Sequence, residues 1–431
     1  MIGREIPKYC LQAMKEKGVD KSQCIYTVSS KYEFNINHGE ITLLRTTMDN
    51  KVTLSAIKDN KAGSLNINKI DKGALDTAID SIIEMSNSSI ADEANDIAPY
   101  QPSEEFFKGD VEPDLERMYE LAKNFCERVE KDFPLIKFEE SILEFNYVNQ
   151  YFMNSNDVDF MSNNGHYSIG AMFSAKDGEK TSSFNYSGCT FNNLNNELIE
   201  MGTIENLMKE AIEQLDMKVL EDKFVGDIII TPDCLGEILY YYENIFLGDT
   251  ALISGTSKLK DKLNELVADP KFTLRSTPLS PEIAEGYFVT RDGFKAEDCT
   301  IIENGVLKSF LLSLYGANKT GKERAKNHGD VMVVDPGDKS FAELIKNVEK
   351  GILLSRFSGG GPSANGDFTG VAKNSFLIEN GEIKHAITET MISGNLLEMF
   401  KNIVGISEER VNFGGSILPW IQFRGITISG K

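Results

Sequence analysis

An α+β protein of two domains is what this sequence predicts, and three observations carry that prediction. At 431 residues the chain is longer than one ordinary hydrophobic core serves. Residues 24–67 alternate apolar and polar side chains at period two, and helical periodicity takes over after them. Beyond Phe272 short strand-like runs dominate, two of them closed by Asn-Gly turns. The first domain is expected over residues 1–222, an antiparallel meander with helices. The second is expected over 223–431, mainly antiparallel and β-rich with helices.

The opening segment, MIGREIPKYCLQAMKEKGVD, reads as a short amphipathic helix without the apolar core of a secretion signal. Residues 24–67 then divide into four strand-like runs at the turn-rich stretches NHGE, MDNK and KDNKA, which predicts a four-stranded meander. Residues 71–89 follow as a helix. A polar, proline-bearing passage (91–109) leads into a second helix with Pro113 near its first turn. Strand-like runs return at 137–150, 166–175 and 180–190, and a long helix is expected over 195–217. After Lys223 the run VGDIIITPD is a hydrophobic strand stopped by Pro232, with a helix following through Phe246. Further on, Ile302-Glu303-Asn304-Gly305 is echoed by Ile378-Glu379-Asn380-Gly381. Asn-Gly between alternating apolar residues favours a two-residue hairpin turn, because both central residues need positive φ.

Composition narrows the function classes. With 66 acidic against 45 basic residues, net charge −21, the chain repels phosphate backbones, so direct nucleic-acid binding is not expected. The most basic run, Lys319–Lys326 (KTGKERAK), reads as a solvated helix end and loop. No stretch approaches the ~20 apolar residues of a membrane span, and residence in the cytoplasm is the simplest expectation. The six cysteines (Cys10, Cys24, Cys126, Cys189, Cys234, Cys299) contain no C-x-x-C pair and read as buried thiols rather than a disulfide framework.

Motifs for chemistry are sparse. The loop Ser358–Thr369 (SGGGPSANGDFT) is too glycine-dense and polar to pack as core, and such loops often frame binding clefts. It lacks the Lys-Ser/Thr ending of a phosphate loop and does not open onto a helix. Its backbone N–H and C=O groups suit an extended ligand, and Asp367 either binds that ligand or caps the turn. The four histidines (His38, His166, His328, His385) never pair at helical spacing, so no zinc set of two imidazoles and a third ligand is written locally. A distant assembly of His328 with carboxylates is the rival. There is no G-x-S-x-G elbow, and Cys234, at a helix start, reads as buried. Tyr240, Tyr241 and Tyr242 cannot share one helix face, so at least one should meet a cleft or a partner surface.

Four C-terminal stretches, 292–321, 335–361, 365–383 and 387–406, resemble the TldD/PmbA family, also called modulators of DNA gyrase; the N-terminal meander resembles it more weakly. Members of the TldD branch are similar to zinc metallopeptidases with an H-E-x-x-x-H helix and a C-terminal cysteine ligand. The matching helix here, about 232–247, keeps Glu237 and Glu243 but no histidine, and the tail after Asn412 has no cysteine. The resemblance therefore implies the PmbA/TldE-like branch: no catalytic and no metal-binding residue in this chain, and zinc expected only in a TldD-like partner. It implies a dimeric complex, with that partner or with a second copy, that admits unfolded peptides. Gly366, Asp367, Phe368 and Thr369 are the residues expected near bound peptide, from the loop and the matching GDF segment. The alternatives are a self-contained peptidase homodimer with an unrecognised metal site, or a regulatory protein acting on DNA gyrase.

Overall fold

The computed structural model describes residues 1–430. It has helices and many antiparallel strands arranged in two large sheets. The N-terminal sheet runs in the order 61–67, 40–58, 21–37, 136–154, 159–177, with Glu104–Lys108 and Asn185–Phe191 both added to the outer edge of the last strand. Its helices lie on one face. Ile6, Cys10 and Met14 of the helix Glu5–Glu16 and Leu75, Ile79 and Ile82 of Lys72–Ser88 bury against Cys24, Tyr26, Val52 and Leu54. Met118, Leu121, Phe125 and Val129 of Leu115–Asp132 bury against Leu143, Phe145, Ile169 and Phe173. The opposite face is apolar at one end, where Ile25, Phe106, Phe152 and Phe160 cluster, and polar along its middle. There Arg45 forms a forked pair with Glu33 (2.7 and 2.9 Å), beside Lys31, Glu144 and His166.

Local chemistry explains most boundaries. Asp71 and Asp114 cap their helices by accepting from the N–H groups of Ala74 and Arg117. Asn304-Gly305 and Asn380-Gly381 all have positive φ and close the hairpins 299–307 and 376–386. Two expectations fail. The MDNK stretch is not a turn: Glu40–Lys58 is one strand, with Asp49 and Asn50 opposite Ser29 and Val28, so the meander has three strands, not four. Asn50 stays extended because the Tyr26 hydroxyl donates to its side chain at 2.7 Å. The helix expected over 195–217 is broken, with only Ile204–Glu213 α-helical, because Gly202 takes φ +56° just before it.

The second sheet is mixed but mainly antiparallel. Its long last strand, Ser416–Ser429, pairs antiparallel with Lys223–Ile230, which pairs in parallel with Lys350–Leu354. Through Thr390–Asn395 and then Asp367–Lys373, the same last strand carries an arm that ends at Arg356–Gly359. Helix Pro232–Phe246 lies on this sheet, burying Leu235, Ile238, Leu239, Tyr242 and Phe246 among Phe272, Phe400 and Phe423.

The two sheets meet through specific contacts. Phe106 stacks on Phe288 at 5.0 Å, and Gln101 exchanges two 2.9 Å hydrogen bonds with the backbone of Gly293 and Lys295. All six thiols are free, and Cys10, Cys24, Cys189 and Cys234 are buried. Among the described residues no helix is long and apolar enough to cross a membrane.

Candidate functional site

The strand Lys223–Ile230 runs into Thr231, and Pro232 opens the helix that follows because its missing N–H is unneeded in a first turn. That first turn faces a cleft of about 220 Å³. The opposite walls are Asn185–Gly188 of the N-terminal sheet, Ser355–Phe357, and the start of the last strand at Ser416 and Leu418.

Asp233 and Glu237 line the cleft, and Glu210 lies behind its wall against Ser355. Asp233 accepts from Thr203 at 2.6 Å, and Thr203 in turn shares a 2.7 Å hydrogen bond with Ser187. Glu210 accepts from Ser355 at 3.3 Å. Asp233 and Glu210 are each partly exposed, yet protein surrounds them on most sides. That enclosure pushes Asp233 up to about 6 and Glu210 up to about 8, the Asp233 charge adding to the rise of Glu210. Arg356 supplies the cleft's cation. Its guanidinium lies 4.2 Å over the Phe184 ring and donates to Ser183 at 3.3 Å, while its buried Nε has no partner. Asn185, also lining the cleft and 3% exposed, leaves its Nδ2 unpartnered.

The strand Arg356–Gly359 pairs with Asp367–Lys373 on one side only, and no strand covers its other edge among the described residues. The glycine-rich loop continues from it. The loop tip is exposed and passes the Tyr241 ring, where a Cβ on Gly361 would stand 3.7 Å away, and Tyr241 donates to Glu237 at 2.9 Å. Of the three consecutive tyrosines, Tyr242 is core, Tyr240 is 55% exposed and Tyr241 faces the loop.

The four residues singled out by the loop argument occupy the loop's far end. Gly366 is buried at φ +89°, where a Cβ would lie 2.9 Å from the Phe246 ring. Asp367 is exposed and accepts from Asn395 at 2.9 Å. Phe368 is 6% exposed and meets Phe357 edge-on at 5.9 Å. Thr369 is exposed and pairs with Ser393, just before the stretch 370–373 that pairs with 356–359. Among the described residues, 356–359 have one edge without a strand, and 367–369 pair with 393–395 but lie beyond the 370–373 stretch that meets 356–359. Arg356, Asp233 and Glu210 escaped sequence reasoning, because each looks like an ordinary charge on an amphipathic element and only the fold brings them together.

Zinc does not fit this helix. Its donors are carboxylates, Asp233, Glu237 and Glu243, with the Cys234 thiol buried and pushed far above its usual range. Glu243, 6% exposed, is pushed up to about 8 by burial, and one of its oxygens has no partner. His328, the rival ligand, is stacked on Tyr287 at 3.8 Å and lies 3.6 Å from Asp330; burial pulls it down to about 4. Among the described residues no group of three or more His, Cys, Asp or Glu side chains is arranged to hold a metal ion.

Residues 224–430 match the PmbA/TldA metallopeptidase C-terminal domain. A metalloprotease of Methanothermobacter thermautotrophicus is 32% identical over 238 residues, 49% of this chain and 52% of that protein; an Archaeoglobus fulgidus metalloprotease is 37% identical over 38% of its length. The chain thus spans about half or less of those two relatives. It aligns end to end with a PmbA homologue of Buchnera aphidicola, at 25% identity over 96% of this chain and all of that one. Two crystal structures share the fold. TldE from Thermococcus kodakarensis has a TM-score of 0.83 at 19% identity, covering 98% of this chain and 99% of that one. A Bacteroides thetaiotaomicron protein described as a candidate modulator of DNA gyrase has a TM-score of 0.87 at 23% identity, covering both chains fully. Residues 224–430 thus carry a domain of the PmbA/TldA metallopeptidase C-terminal type, and the whole chain shares its fold with those two structures.

Proposed function

We propose that this chain is the metal-free, TldE/PmbA-like subunit of a cytoplasmic PmbA/TldD-type peptidase complex. It holds unfolded peptide and shapes the substrate channel, while hydrolysis and zinc belong to a TldD-like partner. One observation carries this reading: the helix Pro232–Phe246 offers no imidazole, yet it lines a cleft beside an open strand edge. An extended peptide laid along residues 356–359 would pair its backbone with that edge, which is sequence-tolerant recognition suited to varied unfolded segments. Asp367 and Thr369 would line the path with exposed side chains, Gly366 would fix the turn, and Phe368 would back the strand from the core.

Backbone pairing makes a distinctive demand on the ligand. An unstructured peptide N-methylated at alternate residues should bind the assembled complex about tenfold more weakly than its parent in one of the two registers, since N-methylation removes donors on one edge. Equal binding of both methylation patterns and the parent would overturn the strand-pairing reading.

A further inference from the structure

Away from the cleft, a second cavity of about 450 Å³ opens at the far edge of the C-terminal sheet, where the basic run Lys319–Lys326 folds back onto residues 275–310. We propose that this cavity, built around Lys322, binds a small, multiply charged oxyanion of the phosphate class.

The charge on its walls runs against the rest of the molecule. Arg275, Lys308, Lys322, Arg324 and Lys326 line it with Asp298 and Glu323, in a chain of net charge −21; four of the five cations have a carboxylate partner outside the lining, and Lys322 has none within 4.0 Å among the described residues. A concave wall with more side chains of one sign than of the other draws counter-ions even where the whole protein carries the opposite charge.

The cations divide into a fixed pair of arginines and a looser set of lysines. Arg275 is forked onto Asp335 (2.9 and 2.8 Å) and reaches Thr300 at 2.9 Å. Arg324 is forked onto Asp292 (2.9 and 3.0 Å) and lies 3.6 Å over the Phe294 ring. Those planar forks already hold carboxylates and serve as framework.

The three lysines differ. Lys322 has an aromatic neighbour, 5.2 Å from the Phe310 ring centre, and no carboxylate within 4.0 Å among the described residues. Lys308 and Lys326 reach Glu303 and Glu297 only at 3.8 and 3.3 Å, in exposed pairs that are weak and easily exchanged. Three ammonium groups, each a compact charge with three rotatable donors, suit a tetrahedral oxyanion better than a planar carboxylate, which prefers an arginine fork. The Thr277 hydroxyl and the Ser309 side chain complete the polar wall.

Calorimetric titration of the intact chain with inorganic pyrophosphate, inorganic phosphate and citrate at low ionic strength tests the proposal. Pyrophosphate should bind most tightly, and binding should vanish in about 0.5 M salt. The Lys308→Ala/Lys322→Ala double variant should weaken pyrophosphate binding about tenfold or more, the expected effect of removing charge-assisted donors. In parallel, pyrophosphate should raise the melting temperature of the native chain and leave that of the double variant unmoved. If the double variant melts early without ligand, the single variant Lys322→Gln decides by the same comparison. No binding by the native chain, equal affinity in the variants, or tighter binding of citrate than of pyrophosphate would each overturn the proposal.

Discussion

Glu243→Gln tests the account of the buried carboxyl on the central helix. Glu243 is 6% exposed, one of its oxygens is unpartnered, and burial raises it to about 8 from an ordinary 4.5. Its folded-state value lies above its unfolded value, so between pH 4.5 and 8 the unfolded chain has released a proton that the folded chain still holds. Stability therefore falls with rising pH across that window, by about 1.4 kcal/mol per unit from this group alone. At pH 7 that amounts to roughly 3 kcal/mol. A neutral amide of the same size removes the dependence. Urea unfolding at pH 5, 6, 7 and 8 should show Glu243→Gln gaining on the native chain as pH rises, by about 2 to 4 kcal/mol between the ends of the series. At pH 5 the two should be close, or the variant slightly weaker because its amide is also short of partners. Parallel pH profiles would refute the reasoning, since Asp233 and Glu210 titrate in both proteins and cancel in the comparison.

Two further outcomes follow from the cleft and its loop. Asp233→Asn should lower the pKa of Glu210, because the Asp233 charge is the second cause of its rise after burial; carboxyl-carbon NMR titration of Glu210 reads this directly, and an unmoved midpoint would separate the two groups. Gly366→Ala should destabilise the chain by about 2 to 3 kcal/mol in urea, combining left-handed strain with a clash on the Phe246 ring, and a neutral effect would contradict the loop geometry.

What was legible in the sequence was mostly local. The stop at Pro232 and both Asn-Gly hairpins are decided within four residues by donors, acceptors and φ, so they read correctly. Asp49-Asn50 read wrongly because a turn-forming pair can remain extended when a neighbouring strand supplies its partners, here Val28 and Tyr26. Gly202 and the short 3₁₀ turns divided a segment whose apolar periodicity suggested one long helix. The cleft was the least legible part. Arg356 meets Ser183 across 173 positions, and Glu210 meets Ser355 across 145, separations that no local pattern encodes. The glycine-rich loop follows the strand at the cleft wall, but Phe368 turned inward because strand alternation placed it opposite the exposed Asp367 and Thr369.

The central claim is that this chain binds peptide without cleaving it and leaves zinc to a partner. Its most direct test combines zinc analysis of the purified chain with a cleavage assay on an unstructured peptide, run alone and with an H-E-x-x-x-H family member from the same cell. The account predicts well under one zinc per chain, no cleavage alone, and chelator-sensitive cleavage once the relative is added. About one tightly held zinc per chain, together with chelator-sensitive cleavage by this chain alone, would contradict it.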